Sequence, residues 1–286
     1  MRTPLAPRRR YRLLALDIDG TLLRSDKSLS SRTRAAVDAA RARGVHLVLV
    51  TGRRYPSARL VAEDLGGDVP LVLHNGALIL DVDGGDAAIL RCRPLPRALA
   101  LEAAEIGRRR GADPVVHCGQ RGEGRLLVGE GPYSSTLLAY YLDRSHPDVT
   151  ACVDFEQALL EDPLQVMFGG RMADMAALLP ELREALGGRV KIERTVYPAQ
   201  DVGLLDVLER TVGKAEALAF LQERWEVAAD ETLAIGDNWN DREMLENAGL
   251  GLVMGNADPG MHALGLPVLP TTDDDGVAVA IEEYVL

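Results

Sequence analysis

The most informative segment of the chain is LLALDIDGT, at residues 13–21. An apolar run, typical of a buried strand, ends at two aspartates and a glycine. Alternate residues of a strand share a face, so Asp17 and Asp19 are expected to lie side by side. Gly20 allows a tight turn that presents backbone N–H groups to an anion. Catalytic groups of α/β enzymes lie at such strand ends, although an acidic turn after a strand is also common without any catalysis.

The composition indicates a folded globular protein whose partners are small molecules. The chain has 286 residues, of which 47% are hydrophobic, enough for one large domain or two modest ones. Its formal net charge of -11 repels nucleic acid and anionic membranes, so neither is an expected partner. The same field repels a phosphate ester at long range. Any site for an anion must therefore be built locally, from a metal, a lysine or backbone amides.

Cysteine and histidine spacing indicates neither a disulfide framework nor a zinc site. The three cysteines are odd in number and form no Cys-x-x-Cys pair, which fits a reduced, cytoplasmic setting. The basic segment 1–12 precedes only four apolar residues and no cleavage pattern, so it is not expected to be a secretory signal. The five histidines show no metal-ligand spacing and are assigned no role: His46, His74, His117, His146 and His262.

Two stretches of alternating strands and helices flank a segment with a different pattern of predicted secondary structure. The first stretch is expected to contain strands at 12–17, 45–50 and 70–73 and helices at 30–43 and 56–65. The order βαβαβ indicates a doubly wound, Rossmann-like parallel sheet, so the fold class is α/β.

The segment 83–205 is expected to be an inserted α+β domain, because its strands are shorter and mixed with helices. After this segment, strands and helices alternate again as in the first stretch. The core domain would therefore be discontinuous, formed by 1–82 and 206–286. The strands expected in the insertion are 87–92, 115–118, 126–128 and 164–168, with helices near 96–109, 133–143 and 171–186. The second half of the core is expected to contain helices near 213–225 and 240–247 and strands at 232–235 and 250–254.

A hydroxyl and a glycine follow the second core strand, at Thr51 and Gly52, with Arg53 next to them. At the carboxyl end of a buried parallel strand, the hydroxyl and the free amide can both donate to a phosphoryl oxygen. An ordinary cap between a strand and a helix would have the same sequence.

Lys214 is expected at the start of a core helix. It is one of only three lysines among 32 basic residues. Because the chain uses arginine at most other basic positions, a lysine here indicates a need for the compact charge of an ammonium and not the planar guanidinium of arginine. With so few lysines, chance is also an explanation.

The segment 236–241 reads GDNWND and follows a further core strand. Asp237 and Asp241 are four residues apart, and the turn into the next helix can direct both toward the strand ends, with Asn240 beside them. Such hard oxygen ligands suit Mg²⁺, whereas a helix N-cap with acidic first-turn residues explains the same segment. Four carboxylates in one cleft would repel one another by about 4 kcal/mol per pair, at about 4 Å and an effective dielectric of about 20. A dication is therefore expected.

In this order, the four segments resemble the motifs of the haloacid dehalogenase (HAD) superfamily. The first motif matches 17–21, the second Thr51, the third Lys214 and the fourth 236–241. The insertion between the second and third motifs looks like the type IIB cap of the Cof-like phosphatases. Two shorter segments also resemble that subfamily, NGA at 75–77 and MGNA at 254–257.

The resemblance implies a Mg²⁺-dependent phosphatase that forms an aspartyl-phosphate. Asp17 would be the nucleophile, and Asp19 would protonate the leaving alcohol and then activate water. Mg²⁺ would be held by Asp17, the backbone carbonyl of Asp19 and Asp237, supported by Asp241 and Asn240. The catalytic set is thus Asp17, Asp19 and Lys214, the metal set is Asp17, Asp19, Asp237 and Asp241, and the residues expected to bind the substrate are Thr51, Gly52, Arg53, Asn75, Lys214 and Asn240.

The expected substrates are small phosphorylated metabolites, sugar phosphates first and nucleotide or cofactor phosphates after them. The cap would select the leaving group, but no residue of the cap can be named from the sequence. A phosphomutase would use the same aspartyl-phosphate, and the motifs do not separate the two. A phosphorylatable receiver module also clusters aspartates, a threonine and a lysine, but it would be a much shorter chain without the insertion. The protein is expected to be a monomer or a homodimer.

Overall fold

The computed structural model describes residues 11–83, 86–133 and 135–286. The first part of the chain forms β1 (Leu13–Leu16), α1 (Ser31–Ala42), β2 (His46–Val50), α2 (Tyr55–Asp64), β3 (Leu71–Leu73), β4 (Leu78–Asp83) and β5 (Asp86–Cys92). The middle part forms α3 (Arg97–Arg109), β6 (Val115–His117), β7 (Leu126–Gly129), α4 (Thr136–Ser145), β8 (Val149–Cys152), α5 (Phe155–Ala158), β9 (Gln165–Arg171), α6 (Met172–Leu186), β10 (Val190–Tyr197) and β11 (Val202–Glu209). The last part forms α7 (Lys214–Arg224), β12 (Thr232–Gly236), α8 (Arg242–Asn247), β13 (Leu250–Val253), α9 (Pro259–His262) and α10 (Gly276–Tyr284).

Seven strands form the core sheet, in the order β13-β12-β1-β2-β3-β4-β5. The five strands from β13 to β3 are parallel, and β4 and β5 extend the sheet as an antiparallel hairpin. Every residue of β1 is buried, as expected for a strand covered on both faces. One face packs against α1, α2 and α10, and the other packs against α7, α8 and α9. The predicted α/β fold with a doubly wound parallel sheet is confirmed.

Six strands form the cap sheet, in the order β10-β11-β9-β6-β7-β8. Its outer face packs against α3 and α6 through apolar side chains. Part of the opposite, inner face packs against α4. The strand register places His117 opposite Gln165, and Asp206 opposite both Met167 and Glu193, so these side chains share the inner face.

The strand β5 lies in the core sheet, although the sequence analysis assigned 87–92 to the insertion. Its pattern alone could not reveal this, because a short strand reads the same in either sheet, and the preceding partner strand β4 was not predicted. At the other end, β11 pairs within the cap sheet as far as Glu209. We therefore propose that the insertion begins after β5 and ends after β11, which moves the two boundaries from 83 and 205 to about 93 and 209.

The carboxyl ends of β12, β1 and β2 lie side by side, because these three strands are parallel neighbours. Each is followed by a loop that carries one of the predicted motifs. In an open parallel sheet, this edge is where ligands bind. No helix in the described part of the chain is long and apolar enough to span a bilayer.

Candidate active site

Three buried carboxylates and one lysine meet at the ends of β1 and β12. Oxygen atoms of Asp17, Asp237 and Asp241 all lie within 4.8 Å of one another. The Nζ atom of Lys214, the first residue of α7, donates to Oδ1 of Asp17 at 2.7 Å and to Oδ1 of Asp241 at 2.6 Å. We call these four residues the acid cluster. The structure thus brings together residues of the first, third and fourth predicted motifs.

The backbone conformation after Asp19 requires a glycine at position 20. Gly20 has a φ of 81°, in the left-handed region that favours glycine. A Cβ atom there would lie 2.2 Å from Oδ2 of Asp237. The turn therefore lets the acid cluster close, and the next residue, Thr21, donates from its hydroxyl to Oδ1 of Asp237 at 3.0 Å.

The carboxylate of Asp241 is already fully engaged by the protein. Its Oδ2 accepts the backbone N–H groups of Asp237 at 3.1 Å and of Asn238 at 3.0 Å, while its Oδ1 faces Lys214. These bonds fix the turn after β12. Among the described residues, Oδ2 of Asp17 and Oδ2 of Asp237 accept no such bond, so these two oxygens are available to a cation.

Burial and like charges disfavour ionisation of Asp17 and Asp237. Burial raises the pKa of Asp17 to about 7, even though Lys214 opposes the shift, and the charge of Asp241 adds to it. Burial, with the charges of Asp17 and Asp241, also raises the pKa of Asp237 well above its usual value. Three carboxylates therefore share a single ammonium. A hard dication would relieve this imbalance, and the all-oxygen donor set fits Mg²⁺.

The carboxylate of Asp19 is held by two cations that are not part of the acid cluster. Its oxygens accept from Arg53 at 2.6 and 2.8 Å and from Lys27 at 3.2 Å. Although burial raises the pKa of Asp19, the hydrogen bonds and charges of Arg53 and Lys27 hold it below its ordinary value. Among the described residues, the Asp19 carboxylate is not part of the group that could hold a metal, which leaves its backbone carbonyl as the candidate ligand.

The second predicted motif lies at the end of β2, the strand next to β1, which Asp17 follows. Thr51 is buried, and its hydroxyl accepts the backbone N–H of Arg53 at 3.1 Å. Gly52 packs so closely on Asn75 that a Cβ atom would lie 3.2 Å from Oδ1 of that residue. The loop can thus offer a hydroxyl and a backbone amide to an anion.

A chain of side-chain hydrogen bonds connects the fourth motif with the cap sheet. Asn240 donates to Oδ1 of Asn75 at 2.9 Å, and Asn75 donates to Oδ2 of Asp206 at 3.0 Å. Gln165 donates to the other oxygen of Asp206, also at 3.0 Å. Burial raises the pKa of Asp206 to about 7. The predicted residues Asn75 and Asn240 therefore lie together, and Asn75 connects them to Asp206 and, through it, to Gln165, two cap residues that were not predicted.

Two further contacts join the sheets near the site. The guanidinium of Arg54 is buried and donates to the carbonyl of Gly124 and, at 3.0 Å, to Oδ2 of Asp148. The side chain of Asn238 accepts the backbone N–H of Val196 at 3.0 Å and donates to its carbonyl at 2.7 Å, which caps the edge of β10.

The missed cap residues carried little signal in the sequence. Asp206 interrupts the apolar run Leu204–Leu208, and an acid inside a buried strand was the one available sign of a special role. Tyr197 follows no motif, yet burial and the charges of nearby acids, Asp19 first among them, raise its pKa well above its usual value.

Known proteins are similar to this chain over nearly its whole length. Residues 14–281 match the family described as haloacid dehalogenase-like hydrolase. The chain belongs to this family. The HMP-PP phosphatase of Serratia proteamaculans (strain 568) is 30% identical over 277 residues, which cover 96% of each chain. The 5-amino-6-(5-phospho-D-ribitylamino)uracil phosphatase YitU of Bacillus subtilis (strain 168) is 25% identical over 274 residues, covering 95% of this chain and 97% of the relative.

A solved structure shows the same fold. The crystal structure of a haloacid dehalogenase-like hydrolase from Bacteroides thetaiotaomicron has a TM-score of 0.77 and 26% identity, and the match covers 96% of this chain and 99% of that one. The predicted membership of the Cof-like HAD hydrolases and the predicted phosphoric monoester hydrolase are confirmed. The alternative of a receiver module is not supported, since the family match spans nearly the whole chain.

Proposed function

We propose that the protein is a Mg²⁺-dependent phosphatase that hydrolyses small phosphorylated metabolites through an aspartyl-phosphate on Asp17. One observation carries this proposal: Asp17 is buried, held by Lys214 at 2.7 Å, and grouped with two further carboxylates at the ends of parallel strands. That arrangement combines a nucleophile, a fixed positive charge and a cation site around one small volume.

The metal would be held by the carboxylates of Asp17 and Asp237 and by the backbone carbonyl of Asp19. Asp241 would act behind them, because both its oxygens are already occupied by Lys214 and by backbone N–H groups. Asn240 would support the same turn through its bond to Asn75. When bound, Mg²⁺ would neutralise charge on the phosphoryl oxygens.

The protein's own residues would divide the reaction into two steps. Asp17 attacks phosphorus and the bond to the leaving oxygen breaks, while Asp19 supplies a proton to that oxygen. Because Arg53 and Lys27 hold the pKa of Asp19 below its ordinary value, Asp19 would take up this proton from water as the substrate displaces the two cations. Asp19, now ionised, then takes a proton from water, which attacks the aspartyl-phosphate and releases inorganic phosphate. Thr51, the amide of Gly52 and Lys214 would bind the phosphoryl oxygens and the charge that develops on them.

Sugar phosphates are the first substrate class to test, followed by nucleotide and cofactor phosphates. The names of two relatives support this wider range, since one is called an HMP-PP phosphatase and the other acts on a phosphorylated ribitylaminouracil. A phosphomutase would use the same residues and would return the phosphoryl group to the substrate instead of to water. No observation in the structure favours that alternative.

The test is phosphate release from a panel of sugar phosphates, nucleotides, pyridoxal phosphate and flavin mononucleotide, with Mg²⁺ and with EDTA. We expect release that requires the metal and favours one substrate class. A folded protein that binds Mg²⁺ but releases no phosphate from any of these compounds would contradict the proposal. Transfer of phosphate to a second position of the substrate, without release, would identify a mutase.

A further inference from the structure

A second group of polar residues lies where the cap sheet meets the end of β3. We call it the seam cluster, and it consists of His74, Asn75, His117, Gln165 and Asp206. The ring centroids of His74 and His117 are 5.3 Å apart, with one ring edge against the other face. Gln165 lies beside His117 in the sheet register and donates to Asp206. All five residues are buried.

Several buried polar atoms of this cluster have no hydrogen-bond partner among the described residues. Among the described residues, eight buried side-chain nitrogen and oxygen atoms have no hydrogen-bond partner. Five of the eight lie in or next to the seam cluster: Nδ1 of His74, both ring nitrogens of His117, Oε1 of Gln165 and Oδ1 of Asn240. Native proteins leave few such atoms unpaired, and those that remain call for a bound molecule or a water. Their concentration at one place between the two sheets points to a binding site.

The seam cluster adjoins the loop that is proposed to hold the phosphoryl group. The backbone N–H of Asn75 donates to the carbonyl of Thr51 at 3.0 Å, and that of His74 donates to the carbonyl of Arg53 at 3.2 Å. Gly52 packs on the side chain of Asn75. A group attached to a phosphate in that loop can therefore extend toward His74 and His117.

The two imidazole rings of the seam cluster are uncharged. Burial lowers the pKa of His74 to about 3 and that of His117 well below its usual value, so both rings are neutral at pH 7. A neutral imidazole has one donor and one acceptor nitrogen. The ring of His117 also lies nearly parallel to that of Tyr141, at 6.4 Å between centroids. The two buried imidazole rings are therefore flat, uncharged and able both to donate and to accept a hydrogen bond.

Building on the proposed phosphatase function, we propose that His117, with His74 and Gln165, forms the subsite for the leaving group and selects uncharged organic groups rich in hydroxyl, amide or ring-nitrogen atoms. Such a group would supply the partners that the buried nitrogen and oxygen atoms lack. An apolar leaving group would leave those atoms unpaired in the complex, so it would be rejected.

The test compares ribose 5-phosphate, whose leaving group carries hydroxyls, with phenyl phosphate, whose leaving group is apolar. Dissociation constants are measured by calorimetry with Mg²⁺ in the Asp17→Asn protein, alone and with His117→Phe. Phenylalanine keeps a flat ring beside Tyr141 but removes both nitrogens. The matched control is His46→Phe, since His46 stacks on Trp225 at 5.0 Å at the start of β2, the opposite end of the strand from the site.

We expect His117→Phe to raise the dissociation constant of ribose 5-phosphate by about tenfold or more. The dissociation constant of phenyl phosphate should change by less than about twofold. His46→Phe should change neither. Equal weakening of both ligands, or of neither, would overturn the subsite and leave buried water as the partner of these atoms. If His117→Phe does not fold, His117→Gln against His117→Met repeats the comparison, because only glutamine keeps a donor and an acceptor.

Turnover separates this proposal from the function on which it rests. Phosphate release from ribose 5-phosphate and from phenyl phosphate by the protein with Asp17 intact tests the phosphatase, because both esters present the same phosphoryl group to the acid cluster. Selective binding without any turnover would support the subsite and contradict the phosphatase. Turnover combined with an unchanged ratio of the two dissociation constants would do the reverse.

Discussion

The acid cluster and the seam cluster are both buried beside the same loops, but the first consists of charged groups and the second mainly of uncharged hydrogen-bonding groups. The acid cluster concentrates charge, with three carboxylates around Lys214. The seam cluster contains neutral imidazoles and carboxamides with unpaired hydrogen-bonding atoms, and a single carboxyl, Asp206, whose pKa burial raises to about 7. The first is therefore completed by a cation and the second by hydrogen-bond partners. The difference separates the part of the site that would do chemistry from the part that would select a substrate.

The largest expected effect comes from removing the nucleophile of the acid cluster. Asp17→Asn keeps the shape of the side chain and its contact with Lys214 but cannot form the acyl phosphate. We expect kcat to fall by about 10⁴-fold or more, with the circular dichroism spectrum unchanged. The control is Asp38→Asn, an exposed aspartate on α1, which should keep full activity. Full activity in Asp17→Asn would remove Asp17 as the nucleophile.

Metal removal should separate the two clusters by stability as well as by activity. Mg²⁺ at about 100 times its dissociation constant is expected to stabilise the native protein by about 2.7 kcal/mol. Asp237→Asn should lose most of that gain, since Asp237 supplies a free oxygen to the site. In EDTA the same variant should be at least as stable as the unmodified protein, because one member of a repelling group is gone.

Thermal unfolding with Mg²⁺ and with EDTA measures both effects, and His117→Phe is the control from the seam cluster. That variant should respond to Mg²⁺ as the unmodified protein does. A metal-induced shift that survives in Asp237→Asn would place the cation elsewhere.

The acid cluster could be predicted from the sequence because each of its members lies within a residue or two of a strand or helix end. Asp17 directly follows β1, Asp237 directly follows β12, and Lys214 opens α7. Parallel neighbours bring such positions to one edge of a sheet without any detailed knowledge of packing. The carboxylate of Asp19 was harder to place, since its direction is decided by Arg53 and Lys27.

Apart from Asn75, the seam cluster was not predicted, because its cap residues come from the middle or the ends of strands that are far apart in the sequence. His117, Gln165 and Asp206 share a face only through the pairing of β6, β9 and β11. Strand register depends on long-range contacts, and a shift of one residue would turn every side chain to the other face. The same limit explains why β5 was assigned to the wrong sheet: its pattern does not identify its partner strand.

Arg54 provides a test of how firmly the two sheets are joined. Its buried guanidinium bonds Gly124 and Asp148, so Arg54→Met would leave a buried carbonyl and a carboxylate without their donor. We expect a loss of about 2 kcal/mol in the free energy of unfolding, measured with urea. The matched control is Arg59→Met on α2, whose ion pair with Glu63 is about half exposed and should contribute little. Equal losses in the two variants would mean that Arg54 does not join the sheets.

The smallest effect concerns pH and distinguishes the neutral cluster from the charged one. The pKa of His117 lies well below 6.5 in the folded protein, so below pH 6.5 the unfolded chain binds a proton that the native state does not. Stability from this residue is therefore complete above pH 6.5 and is lost as the pH falls, by at most about 1.4 kcal/mol per pH unit. His117→Phe should lose less stability than the unmodified protein between pH 7 and pH 5. Raised carboxyl pKa values in Asp17 and Asp206 act in the opposite direction, but they act in both proteins and cancel in the difference. Parallel curves of unfolding free energy against pH would show that His117 binds its proton in the folded protein, and the seam cluster would then be charged like its neighbour.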